Sequence, residues 1–397
     1  MKQIQKEQRE LKEQPTQIYY FEQNKRRVIP FYNQIEVIAK GRWYGKTIQE
    51  IYQNEFPSVS QEELEKQIEE HTLKIINRKG EERETTLTTV INAHDKMISQ
   101  RHLHEPPVPN NPIVIIEDTN DYLVIDKPQG IPVHPTGKYK HNSITQILKN
   151  ERGYDDLKPV FRLDKNASGV LILAKTKQFA NEFQRSIEEK SSNAIRQQQK
   201  QKQKNEMKEK ENGNEIGKTY LARVQGLFPE EIEVNIPLQL TRFGTERQNT
   251  IATEDDENKV EARSGFKRLF YDKESDTSVV TGIPYTGRTH QLRLHLQAIG
   301  HPIANDSAYV HKQLHNLRNE DGDRERDELW RKKYHWDYDD ICEDCKNPKG
   351  DPIEEGIWLH AWIYSFHDKE WKTPRPIWSE EDFNAKEYLE NWNLLFN

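Results

Sequence analysis

An α+β fold is the class this sequence predicts, on three kinds of segment. The β-branched runs VIIED (Val114–Asp118) and YLVID (Tyr122–Asp126), and the wholly apolar VLILA (Val170–Ala174), read as strands, the last a buried one. KTYLARVQG (Lys218–Gly226) alternates, with Tyr220, Ala222 and Val224 on one side, as a half-buried strand does. ITQILKNE and QLRLHLQAIG instead carry apolar residues at helical spacing.

Taken in order, residues 1–40 read as an extended lead holding Tyr19, Tyr20 and Phe21 and the basic Lys25, Arg26 and Arg27. From Gly41, Ile48, Ile51 and Tyr52 fall at helical spacing, and Ser60 is placed to cap a second helix before Glu63. TLKIINRKG then alternates like a strand and ends in a basic turn, and the unit closes near RHLHEPPVP (Arg101–Pro109), whose prolines predict a stiff connector. Beyond it, PQGIPVHP carries turn residues and Asn142 or Ser143 is placed to cap ITQILKNE. After VLILA, Phe179, Phe183 and Ile187 share one helical face. Residues 190–213 are Gln, Lys, Glu and Asn with almost nothing to bury, which predicts a disordered or solvated helical insertion. A second charged insertion spans 311–355 and contains both cysteines.

Composition sets bounds. The 397 residues allow one large and one smaller domain, while an apolar content of 33% implies that part of the chain forms no core. No run approaches the roughly 20 apolar residues that span a bilayer. The opening MKQIQKEQRELKEQ mixes acids with its bases and has no apolar signal core, and two cysteines make no disulfide framework, so a cytoplasmic or nuclear home is expected. The net charge of −7 does not itself point to nucleic acid, and any grip on RNA must come from local patches.

Three segments can carry chemistry. Asp164, in RLDKNASGVLILAKT, is an acid on a turn of small residues (Ala167, Ser168, Gly169) directly before a buried strand, where a rigid element can hold it. A turn aspartate capping backbone amides would look the same. In TGRTHQLRLHLQAIGHPIAND, Leu292, Leu296 and Ile299 share a face, Gly300 supplies a C-cap, and Arg288, His290 and Arg293 cluster in the opening turn. Arginines there oppose the helix dipole unless a phosphate or a carboxylate such as Asp164 pairs them. Solvated arginines on an ordinary amphipathic helix are the plain alternative. For Tyr220 the plain alternative is a core tyrosine with a satisfied hydroxyl.

In this order and spacing, the segments resemble the RluA-type pseudouridine synthases. LVIDKPQGIPVHP is similar to the family's first motif, and RLDKNASG to the second, which contains the catalytic aspartate, here Asp164. KTYLARVQG resembles the strand whose tyrosine contacts the target uracil, here Tyr220, and VEARSGFKRL an intervening strand. TGRTHQLR looks like the third motif, whose last arginine pairs with the catalytic aspartate, here Arg293. Phe161 stands where the family commonly has His, and Ala167 where Thr is usual, so altered packing or substrate placement is expected there. GRWYGKTIQEIYQNEF, RHLHEPPVP, the CEDC stretch and LHAWIY resemble the eukaryotic cytoplasmic tRNA pseudouridine(32) synthase branch, in which an S4-like RNA-binding unit precedes the catalytic domain.

The resemblance implies an S4-like unit over 41–108, degenerate because ERETTL replaces a clean second strand. It implies a catalytic domain over 109–397 on a mixed, mainly antiparallel sheet with flanking helices. The reaction would isomerise uridine in RNA, foremost in the anticodon loop of tRNA, by a monomer without cofactor. Arg162, Arg288, His290, Lys267 and Arg268 are the expected substrate contacts, with Arg242 and Arg247 as further phosphate neutralisers. A non-catalytic RNA-binding protein or chaperone, and a synthase acting on ribosomal or messenger RNA, stay open as rivals. Cys342-Glu-Asp-Cys345 has metal-ligand spacing, but only nearby histidines such as His311, His315 or His335 could complete a site, and no metal is expected.

Overall fold

The computed structural model describes residues 18–56, 59–201, 217–243, 246–253, 256–310 and 356–394, with short stretches at 328–329, 331–333, 338–339, 342–348 and 350–351. Its contacts divide into two units. One comprises Met1–Pro107 and Arg318–Pro352 with a short stretch at 243–246, and the other takes the remainder.

The smaller unit is a sheet with two helices. Thr47 caps the helix Ile48–Glu55 in a reciprocal capping box with Glu50, and Ser60 Oγ accepts from the Glu63 amide to start Gln61–Glu69. Trp43, Ile48, Ile51, Leu64, Leu73, Ile75 and Met97 fill the core. The lead is more structured than its sequence suggests: Tyr19–Glu22 and Lys25–Val28 form a hairpin. Phe31–Ile38 then pairs along its whole length with Lys96–Leu103. That second strand runs into the RHLHEPPVP segment as far as Leu103, ahead of its prolines. Leu73–Ile76 adds to the same strand, while Glu82–Arg83 is only a two-residue edge.

The larger unit is built on a ten-stranded sheet. Its path runs Glu231–Val234, Ser264–Asp272, Thr277–Pro284, Gly217–Gln225, Leu359–Phe366, Ser168–Ala174, Tyr122–Lys127 and Val114–Asp118. Neighbours on this path are antiparallel except one central pair: Ser168–Ala174 lies parallel to Leu359–Phe366, with Gly169 opposite Ala361. This is the mixed, mainly antiparallel sheet expected. Gly169 has φ +110°, and a Cβ there would lie 2.2 Å from the Ala361 carbonyl oxygen, so only glycine permits this approach.

Apolar helical faces cover the sheet. Leu292 and Leu296, from the helix Gln291–Ala298, join Leu221, Val224, Phe266 and Val280 in one core cluster, with Ile299 packed against it. Gly300 follows at φ +84° as the helix stop. Phe179 and Phe183 enter an aromatic cluster with Tyr122, Tyr364, Phe366 and Trp371. Their helix continues to Gln201, into the first polar insertion; 202–216 lie outside the described residues. Among the described residues no helix is long and apolar enough to cross a membrane.

Candidate active site

Asp164 sits on the turn that leads into Ser168–Ala174, and four contacts fix that turn. The Asp164 carbonyl accepts from the Ala167 amide at 3.2 Å, and the Asn166 carbonyl from the Ile357 amide at 3.0 Å. Ala167 is buried in the core, and Ser168 Oγ lies 2.8 Å from His360 Nδ1, whose other nitrogen meets Thr373 Oγ1 at 2.6 Å. His360 is thus a packing histidine, as its surroundings also say: burial pulls it down to about 4.

Beneath the turn lies Lys127, fully buried at the end of its strand. Its Nζ donates to the carbonyls of Pro128 (2.9 Å), Lys165 (3.0 Å) and Ala167 (2.8 Å), which uses all three protons of an ammonium. Burial drags its pKa down to about 7, against the pull of Asp164. The three carbonyls are what make this cation tolerable inside the protein.

The opposite wall is the TGRTHQLR turn. Gln291 organises it by accepting from Thr286 Oγ1 (2.8 Å) and donating to the Arg263 carbonyl (2.9 Å) and Ser264 Oγ (2.9 Å). Arg293 therefore enters from the first turn of its helix with its guanidinium buried. Nε and one terminal nitrogen clamp Asp306 at 2.7 and 2.9 Å, and the other donates to Asp164 Oδ2 at 3.0 Å. Its guanidinium carbon stands 4.7 Å from the centre of the Tyr309 ring. His290, in the left-handed conformation at φ 58°, places Nε2 3.8 Å from Asp164 Oδ1 while Nδ1 meets the Tyr309 hydroxyl at 2.7 Å.

The resulting electrostatics favour an anion at Asp164. Burial alone would raise this carboxyl, but the electrostatic pull of His290, Arg293 and Lys127 and the Arg293 hydrogen bond outweigh it and hold the group below the ordinary range. Its side chain keeps 23% of its surface exposed, so the anion is stabilised without being sealed. Tyr220 is half-buried on the central strand Gly217–Gln225. Burial, then the charge of Asp164, push its hydroxyl above the ordinary phenol value, so it rests as a phenol, not a phenolate.

The expected residues thus divide. Asp164, His290 and Arg293 come together, with Tyr220 close enough to feel the carboxylate. Arg162 is exposed on the same turn as Asp164, and its charge reaches His134, already depressed by burial. Arg288 is half-buried and turned towards the Glu261 carbonyl (3.4 Å). Arg268 is engaged by the Phe228 carbonyl at 2.5 Å. Lys267 is exposed and alternates with Phe266, which packs in the core beside Tyr220, so it points to the other sheet face. Neither Lys267 nor Arg268 is brought to the Asp164 cluster. The side chains of Arg242 and Arg247 lie outside the described residues. At the two family departures, Phe161 stacks on Tyr364 at 4.7 Å with Lys218 Nζ 4.7 Å from its ring, and Ala167 is packed in the core.

Sequence reading missed Lys127 and Asp306. Lys127 closes an apolar strand, where a lysine facing inward must find acceptors. Asp306 is a buried acid thirteen residues after Arg293. The cysteines were also misjudged: beside them, among the described residues, stand His102 and His104, while His311, His315 and His335 fall outside the description.

Residues 121–298 match the family model described as RNA pseudouridylate synthase. The chain is 31% identical to the protein named tRNA pseudouridine(32) synthase, mitochondrial, of Saccharomyces cerevisiae, over 89% of this chain and 74% of the relative. It is 32% identical to the tRNA pseudouridine(31) synthase of the same yeast, covering 91% and 97%. RNA pseudouridine synthase 7 of Arabidopsis thaliana is 30% identical, covering 91% and 88%.

Proposed function

This chain belongs to the RNA pseudouridylate synthase family and isomerises uridine to pseudouridine in RNA; from that premise we propose that it acts on the anticodon loop of tRNA, with Asp164 as its catalytic carboxylate. One observation carries the assignment of the site. Arg293, clamped by Asp306, holds Asp164 ionised at the edge of a rigid strand while leaving part of it open. The tRNA assignment is supported by two yeast relatives whose names specify tRNA.

The reaction breaks C1′–N1, turns the uracil and joins C5 to C1′; C5 loses a proton and N1 gains one, so no redox partner or transferred group enters. A stacked uridine must first be flipped into the cleft. Asp164 then acts at the sugar, as nucleophile on C1′ or as base at C2′. Both routes start from its anion, which Arg293 and His290 favour. Tyr220, a phenol at rest, stacks on the uracil and is poorly suited to take the C5 proton. Arg162, exposed beside Asp164, is placed to meet the strand from which the base leaves, and Arg288 and His290 line the approach. Residues 41–108 are read as an RNA-binding unit, S4-like in plan, that holds more of the tRNA.

The test is a pseudouridine map of unmodified tRNA incubated with wild-type protein and with Asp164→Ala. New pseudouridine in an anticodon loop with wild type alone is the expected result. Modification of ribosomal or messenger RNA instead would move the substrate. Silence on all three would favour a protein that binds RNA without turnover.

A further inference from the structure

The smaller unit contains a cluster unrelated to the carboxylate site. His102 lies at the end of the strand Lys96–Leu103 and His104 two residues on, so extended geometry turns both rings to one side. The rings stand 4.9 Å apart, edge to face. Cys342 caps the short turn Glu343–Lys346, and its carbonyl accepts from the Cys345 amide at 3.1 Å, which brings the two thiols round to the same side. Cys345 Sγ is 3.1 Å from His104 Nε2 and 3.4 Å from His102 Nδ1. One ligand atom from each of the four residues lies within 4.8 Å of all the others. Both cysteines are free, and His102 Nε2 is buried without a hydrogen-bond partner, so that ring's polar neighbours are on its Nδ1 side.

These dimensions can be set against a metal. Zinc–sulfur and zinc–nitrogen bonds of about 2.3 and 2.0–2.1 Å make tetrahedral edges of about 3.4–3.8 Å. The observed separations bracket that range, and shifts of under about 1 Å would bring four donors onto one ion. A thiol–imidazole hydrogen bond would explain one pair but not the convergence of four groups across 241 residues of sequence. Two thiols and two imidazoles are a borderline-soft donor set that favours zinc over magnesium or calcium. With four protein ligands no position is left open, as in structural rather than catalytic sites.

The place of the cluster gives it a purpose. The described residues of the charged stretch 318–352 group with the N-terminal unit, yet none of their side chains enters that unit's apolar core. Apart from the cysteines, the contacts of the stretch's described residues include an ionic one: Asp351 takes both Arg27, at 2.9 and 2.6 Å, and Lys25, at 3.1 Å. A stretch so rich in charge has little apolar surface to bury and gains most from a cross-link.

We propose that His102, His104, Cys342 and Cys345 form a closed, four-coordinate zinc site that fastens the charged segment 318–352 onto the N-terminal unit. This revises the expectation of no metal. The histidines that complete the Cys-x-x-Cys pair come from the Arg-His-Leu-His run more than 200 residues upstream.

The experiment is elemental analysis of the full chain, purified without a metal-chelating tag, for wild type and for the double variant Cys342→Ser, Cys345→Ser. About one zinc per chain in wild type, falling at least tenfold in the variant, is expected. Equal zinc in both, or wild type that stays metal-free after equimolar zinc and shows a Cys342–Cys345 disulfide by mass spectrometry, overturns the proposal. Should the variant not fold, wild type stripped by a chelator is titrated with cobalt. The visible bands of tetrahedral, thiolate-bound cobalt support the site, and their absence sinks it. Limited proteolysis reads the fastening: cleavage within 318–352 should quicken several-fold on stripping and slow again on adding zinc, and an unchanged rate refutes that role.

Discussion

Two buried arginines in the larger unit use the same chemistry to opposite ends. Arg223, fully buried on the strand that carries Tyr220, donates to the carbonyls of Trp378 and Glu380, to Thr277 Oγ1 and to Asp272. Its partner Asp272 is saturated: beyond Arg223 it accepts from the amides of Glu274 and Ser275 and from Ser275 Oγ. Arg293 is buried almost as deeply, but one of its two carboxylates is unsaturated. Asp306 is clamped and sealed, whereas Asp164 has one close donor among the described residues, with His290 next at 3.8 Å. Side-chain exposure hardly separates the two acids, at 18% for Asp272 and 23% for Asp164. What separates them is how many of their lone pairs the protein has already filled. A carboxylate left short of partners has capacity for a substrate; a saturated one holds loops together.

That contrast can be broken at several points. Asp164→Asn keeps the shape but removes the anion, and turnover should fall about a thousandfold or more while RNA affinity stays within about a few-fold; substantial pseudouridine formation by this variant would end the assignment. Arg293→Lys keeps a charge but loses the planar fork that grips Asp306 and reaches Asp164 together, and single-turnover rates should drop roughly a hundredfold. A near-wild-type rate would show that the bridge is dispensable. Lys127→Met contacts neither acid; it removes the three hydrogen bonds to carbonyls under the turn and the pull of a buried charge on Asp164. A loss of roughly tenfold, in kcat more than in KM, is expected, and an unchanged rate would mean that the turn holds itself. Asp272→Ala should leave turnover per folded molecule within about twofold but cost about 3 kcal/mol of stability by stranding Arg223, as a denaturant melt would register. Serious loss of turnover there would erase the distinction between the two arginines. The smallest effect is on pH. Because the Asp164 pKa is depressed, its anion persists as pH falls below the ordinary carboxylate value of about 3.9. The kcat/KM profile should therefore lack a carboxylate limb between about pH 5 and 7, and a limb near pH 6 would contradict the geometry.

How much of this could be read in the sequence follows from what local patterns encode. Asp164, Tyr220 and Arg293 were legible because each lies in a segment whose small residues, alternation or helical spacing are local. So was the sheet's character, once those segments were recognised together. Lys127 and Asp306 were not, because their importance lies in acceptors and donors supplied by distant chain: Ala167 is forty residues from Lys127. For Lys267 and Arg268 the sequence names the charges but not where each one points. A basic pair in a strand must point to opposite faces; one meets solvent, the other the Phe228 carbonyl. The pairing of Phe31–Ile38 with Lys96–Leu103 joins strands with two helices between them, and nothing local announces it.

The parallel contact between Gly169 and Ala361 also bears on when the enzyme can come into being. Leu359–Phe366 lies between Ser168–Ala174 and Gly217–Gln225, at the heart of the sheet, yet it is among the last strands to be made. Ser168 and its partner His360 are 192 residues apart, a delay on the order of 10 to 40 s for a ribosome adding about 5–20 residues per second. Throughout that interval the nascent chain already carries RLDKNASG, and for its later part TGRTHQLR, without the strand that seats Asp164. The completed sheet therefore arrives late and all at once, and a product cut short before Leu359 would hold Asp164 and Arg293 without the strand that seats their turn.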